Sequence, residues 1–167
     1  MSAPFVSADG STSLLLPDAV AVLAPARPGA RPRRQVFPGS PAEVASARRF
    51  ARCALDRCPV TGEAVQCLSE IAANAVQHTR SSGGTFEVIL WRGPSSVLVA
   101  VADAGSDTIP VPAPPDAGSE SGRGLALVAL LATSWGHHGS QDGRVVWCVL
   151  DWATAGCPDA AGVPSAS

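Results

Sequence analysis

The sequence predicts a two-layer α/β sandwich of the α+β kind, with a mixed, mostly antiparallel sheet covered by helices on one face. Two observations carry this expectation. Two segments in the first half repeat apolar residues at helical spacing, each beginning at residues suited to a helix start. Further on, two pairs of apolar runs are joined by GPS and QDG, short turn sequences that read as hairpins.

The elements follow in order. RQVF is a short strand candidate. In SPAEVASARRFARCALDR, Ser40 is the expected N-cap, Pro41 the first helical residue and Glu43 the capping-box partner. Val44, Ala47, Ala51 and Leu55 form the apolar stripe of that helix. CPVTG breaks it. Thr61 is placed to cap the next helix and Glu63 suits its first turn. Val65, Leu68, Ala72, Ala75 and Val76 supply the buried face of this second helix, which ends at SSGG. TFEVILWR and SSVLVAVAD are strands, followed by a long Gly- and Pro-rich loop, AGSDTIPVPAPPDAGSESG. GRGLALVALLATS is a third helix, apolar on most sides. WGHHGSQDGRVVWCVLDW closes the domain as two strands. This gives a flexible arm over 1–33, a domain over 34–152 and a disordered tail over 153–167.

The chain has 167 residues, 46% hydrophobic and 16% charged, enough apolar material for one globular core. The formal net charge is −2, which gives no electrostatic case for nucleic acid or an anionic membrane. Every basic residue is Arg, so mechanisms that need Lys, the Walker P-loop among them, are excluded. Five cysteines (Cys53, Cys58, Cys67, Cys148 and Cys157) without a C-x-x-C pair read as reduced thiols in a cytoplasmic protein. The run SLLLPDAVAVLAPA lacks a preceding positive charge and is interrupted by Pro17 and Asp18, so it reads neither as a signal peptide nor as a membrane span.

Three pieces carry chemistry. In SEIAANAVQHT, Glu70 and Asn74 are four residues apart and share one helix face. A carboxylate there can take a proton, and an amide oxygen can ligand a hard cation. The same spacing also occurs on solvated helix faces. His78 lies further along that face and reads as a packing or capping residue. In VADAGSD, Asp103 ends an apolar strand, where it can accept a hydrogen bond from an exocyclic amine or simply stabilise a turn. Gly105 allows close backbone approach to a flat ring. In SGRGLALV, Gly122 and Gly124 flank Arg123 at a helix start, which offers free N–H groups and a cation to phosphate, or forms an ordinary flexible entry.

The order of these pieces, from about Arg34 to Trp152, resembles the ATP-binding domain of the GHKL superfamily (the Bergerat fold of gyrase, histidine kinases and relatives). SEIAANAVQHT matches the N-box, DAGSD the first glycine box and SGRGLALV the second, with the loop between them as ATP lid. ARRFARCAL and GRGLALVALLATSWG…GRVVWCVL look more specifically like the anti-sigma factor serine/threonine kinases. The resemblance implies a histidine-kinase-like ATPase fold that uses ATP and Mg²⁺. It makes Asn74 the Mg²⁺ ligand and Glu70 the general base. Asp103 would bind the adenine amine with Gly105 beneath the ring, and Gly122, Arg123 and Gly124 would hold the phosphates. It also implies a homodimer that phosphorylates an anti-anti-sigma antagonist and sequesters a sigma factor. Asp107 stands where the first glycine box usually has a second Gly, and the lid carries no basic residue before Arg123. A module that holds ATP and sequesters a partner without phosphotransfer is the alternative. A histidine-kinase catalytic domain is set aside, because the arm before Arg34 has no His and is broken by Pro.

Overall fold

A computed structural model describes residues 5–6, 12–13, 32–78, 82–105, 123–140 and 143–152. Two short strands, β1 (Phe5–Val6) and β2 (Thr12–Ser13), pair antiparallel within the segment read as a flexible arm. The main sheet is built from β3 (Arg33–Pro38), β4 (Thr85–Arg92), β5 (Ser96–Asp103), β6 (Ser134–Ser140) and β7 (Gly143–Asp151). Its spatial order is β3-β4-β5-β7-β6, and every pairing is antiparallel. Among the described residues three helices join it: α1 (Pro41–Ala54), α2 (Thr61–His78) and α3 (Arg123–Leu131). The predicted sandwich is therefore present, with β5 as the central strand.

Helix α1 starts where Ser40 and Pro41 predict, but not through the capping box. Ser40 has extended backbone and its hydroxyl makes no cap bond. Instead, the Glu43 N–H donates to the Ser40 carbonyl at 3.0 Å, and the Ser40 N–H donates to the Pro38 carbonyl at 2.9 Å. The preset φ of Pro41 and an alanine-rich body suffice to start the helix. Thr61 also departs from the cap expected of it. Its hydroxyl is shared between the carbonyls of Leu55 at 2.6 Å and Cys58 at 2.8 Å, so it satisfies the end of α1 rather than the start of α2. Arg57, at φ 58°, turns the chain there in the left-handed region. From β4, the Arg92 guanidinium donates to the Asp56 carbonyl at 2.9 Å and to that of Arg57 at 3.3 Å.

The apolar stripes meet as their periods require. Ala47 and Ala51 of α1, with Leu55 at its C-cap, pack with Val65, Leu68, Ala72, Ala75 and Val76 of α2. The same cluster takes in Phe86, Val88 and Leu90 of β4 and Val97, Val99 and Val101 of β5, alternate residues that share one sheet face. At the edge, Phe37 of β3 stacks on Phe86, centroids 5.5 Å apart, and meets Phe50 of α1 edge-on at 6.0 Å. Within α2, the Ser69 hydroxyl donates to the Val65 carbonyl at 2.7 Å, which accounts for a serine on this helix. Cys67 of α2 and Cys148 of β7 are both fully buried in the same cluster, and their interaction across the helix–sheet interface pushes the Cys148 thiol up and the Cys67 thiol down. The four described cysteines are free thiols, and Cys157 lies outside the described residues.

The opposite face of the sheet is buried as well. Ile89, Ala100, Ala102 and Val145 form a second cluster with Trp147 packed against it. Glu87 on this face is 3% exposed and pairs with Arg34 of β3 at 2.9 Å. This double burial explains why β4 and β5 read as almost continuous apolar runs rather than as strict alternation. His137 and His138 are exposed on edge strand β6. Gln141 and Asp142, the tip of the predicted QDG turn, lie outside the described residues, as does the tail after Trp152.

The packing predicts a sharp contrast between two substitutions. Leu68→Ala empties a fully buried site at the helix–sheet contact and should lower unfolding free energy by about 2–5 kcal/mol in urea titration. Val36→Ala, at a position 39% exposed, should change it by no more than about 0.5 kcal/mol.

Candidate functional site

The 3.6-residue period of α2 sets Glu70 and Asn74 one above the other, both half-buried, on a face distinct from its Leu68–Ala72–Ala75 core stripe. Their position follows from how α2 packs. Its buried face lies on the sheet, and its flank meets α3, where Leu125 and Val128 are the buried anchors.

At that contact Gly124 lies directly against Glu70. A Cβ at Gly124 would stand 2.5 Å from Glu70 Oε2 and 3.2 Å from Glu70 Cβ. The glycine therefore leaves space that the Glu70 carboxylate occupies. Arg123, the first residue of α3, is exposed beside it. The structure thus brings the glycine-opened helix onto the first motif: the Glu70 carboxylate lies against the glycine-containing first turn of α3, with Asn74 one turn further along α2. The first-turn N–H groups of α3 have no partner within the helix and favour negative charge. Gly122, Asp107 and the intervening lid lie outside the described residues. The same is true of the side chain of His78.

The VADAGSD motif sits at the end of β5. Asp103 is 2% exposed, and its Oδ1 accepts the N–H of Gly105 at 2.7 Å. Gly105 has φ 76°, in the left-handed region that only glycine enters readily, and this backbone turn folds the N–H back onto the carboxylate. The other oxygen, Oδ2, is 3.6 Å from Nε of Arg144, whose side chain is 9% exposed. Register makes this contact: Asp103 and Arg144 are direct partners in the β5–β7 ladder, so both project from the same face. Arg144 was not among the residues that sequence reasoning selected. Its signal was a lone charge at the start of the apolar strand GRVVWCVLD, but a strand sequence does not disclose its partner.

Burial is the largest influence on the Asp103 carboxyl and pushes its pKa up; the Arg144 charge, the Gly105 N–H and an Arg144 hydrogen bond oppose it. With the folded value above the ordinary 3.8, the native state holds the proton more tightly than the unfolded chain. The stability contributed by this group is complete below about 3.8 and is lost as pH rises through the folded value.

A carboxylate against a glycine-bearing helix start, with an amide one helical turn away, suits a polyphosphate with a hard cation, and a buried carboxylate suits a base amine. The fold and these positions together define a nucleotide-binding domain. The chain matches the family model described as the histidine kinase-like ATPase domain over residues 37–150. It belongs to that family and is an ATP-binding domain with kinase- or ATPase-type chemistry. No curated protein matches it. The residues present fit the nucleotide, since a side chain at Gly124 would meet the Glu70 carboxylate and Gly105 holds a positive φ beside Asp103.

Two predictions follow from this geometry. Gly124→Ala should displace Glu70 and reduce ATP-dependent turnover, yet change stability by no more than about 1 kcal/mol; turnover assays beside thermal denaturation test this. Removing the titrating group by Asp103→Asn isolates its linkage. The stability of the native protein relative to this variant should fall as pH is raised from about 3 to about 7, measured by urea unfolding at each pH.

Proposed function

We propose that the protein is an ATP-dependent protein serine/threonine kinase of the anti-sigma type, whose substrate is a serine hydroxyl on an anti-anti-sigma antagonist. The observation that carries this reading is the Glu70 carboxylate, half-buried and seated against Gly124 at the opening of α3. A helix start that receives phosphate then lies beside a group able to accept a proton. In this reading Glu70 takes the proton of the serine hydroxyl as its oxygen bonds to the γ-phosphorus and the bond to the nucleoside diphosphate breaks. Asn74 supplies an amide oxygen to Mg²⁺, which when bound neutralises charge on the phosphates. Gly122, Arg123 and Gly124 hold those phosphates through backbone N–H groups and the guanidinium.

Asp103 accepts the adenine amine, and Gly105 lets the ring lie close to the backbone. The antagonist and a sigma factor are the proposed partners, and a homodimer in the cytoplasm the proposed working form. Among the described residues, no helix is long and apolar enough to cross a membrane.

Calorimetric titration of MgATP, with phosphotransfer to a cognate antagonist measured beside it, tests the proposal. Asn74→Ala should weaken MgATP binding by about tenfold or more, or 1.4 kcal/mol. Glu70→Ala should retain nucleotide binding and slow phosphotransfer by about 10²–10⁴-fold. Transfer that persists in Glu70→Ala removes it as base. Nucleotide binding with no transfer by the native protein favours a module that acts by sequestration.

A further inference from the structure

Asp103 makes an unusual nucleobase acceptor. A carboxyl shielded from water favours its neutral, protonated form, and a protonated carboxyl offers a donor where a base amine needs an acceptor. The structure contains a remedy in the neighbouring strand. Arg144 stands directly across the ladder from Asp103, its Nε 3.6 Å from Oδ2, with 9% of its side chain exposed. Gly105 N–H takes Oδ1 at 2.7 Å. Each carboxylate oxygen thus has a fixed partner on one side, and each retains lone-pair capacity for one more donor.

We propose that Arg144 is the positioning residue of the nucleotide-base acceptor: its guanidinium, opposite Asp103 in the β5–β7 ladder, keeps that carboxylate charged and in one orientation so that it can receive a base amine. This rests on the reading of Asp103 as the base acceptor. Other titratable or charged groups stand on the elements around the site: Glu70 and His78 on α2, Glu87 on β4, His137 on β6 and Arg123 on α3. Glu87 projects from the opposite sheet face, where it pairs with Arg34. The Coulomb effect on the Asp103 carboxyl comes from Arg144.

The inference differs from a purely structural role for the pair in what it predicts about pH. A structural ion pair would change stability when broken. A positioning pair also changes the pH at which nucleotide binding is lost, because removing the cation leaves the Gly105 N–H alone to oppose the effect of burial on the carboxyl.

The test uses the full chain and two readouts. The first is the titration of the Asp103 carboxyl carbon by NMR in nucleotide-free protein, for the native chain, Arg144→Leu and Arg144→Lys. The second is MgATP affinity by calorimetry at about pH 8 and about pH 6 for the same set, where one unit in the carboxyl titration is a tenfold effect. The Asp103 carboxyl should titrate at higher pH in Arg144→Leu and close to native in Arg144→Lys. Affinity should fall about tenfold more between the two pH values in Arg144→Leu than in the native protein. An Asp103 titration that Arg144→Leu leaves unmoved overturns the proposal, whether or not nucleotide binds. A shifted titration with an unchanged affinity profile overturns it too. If the native protein binds no MgATP, the reading of the site fails, and with it the link to the base; a titration that still shifts then leaves the ion pair with a structural role alone. Should Arg144→Leu not fold, Arg144→Gln, which retains length and polarity without charge, takes its place in both measurements.

Discussion

The burial of α2 against the central strand β5 is the contact on which the rest of the structure depends. Leu68, Ile71, Ala72 and Ala75 lie in one cluster with Val97, Val99 and Val101. An amphipathic helix seated this way has no freedom to rotate about its axis, because turning it would expose the apolar stripe to water. Glu70 and Asn74 therefore take their directions from residues that do no chemistry. The thiol contact between Cys67 and Cys148 adds a second tie between α2 and the sheet, close in sequence to Glu70.

The sheet performs the equivalent task for the second half of the site. Antiparallel pairing fixes Asp103 opposite Arg144, and one residue of slip would send the two to opposite faces. Burial on both faces makes such a slip costly, since Val145 on one side and Val146 and Cys148 on the other would exchange environments if β7 moved. A sheet buried on two sides is thus an unusually rigid frame for a carboxylate that must hold one orientation. Glu87 with Arg34 shows the same solution on the other face, a buried acid held by an arginine from the adjacent strand.

Within the site, glycine acts at two points. At Gly105 it provides a backbone turn of positive φ that returns an N–H to Asp103. At Gly124 it gives room to a carboxylate from another helix. One role is conformational and the other steric, and the site needs both.

Much of this was legible in the sequence because it is local. The apolar stripe Val65–Leu68–Ala72–Ala75, the row of Glu70 and Asn74, and the hairpin turns depend on periodicity and turn chemistry within a few residues. So do the helix starts, although Ser40 and Thr61 show the limit: the sequence placed them near helix starts, while the available carbonyls and N–H groups decided which bonds they make. Register across strands and contacts between helices were decided only by tertiary structure. Arg144 meets Asp103 because β7, far along the chain, inserts between β5 and β6, and Gly124 meets Glu70 because α3 docks on α2. Neither relation leaves a local pattern, since side-chain alternation states which face a residue occupies but not which residue stands beside it.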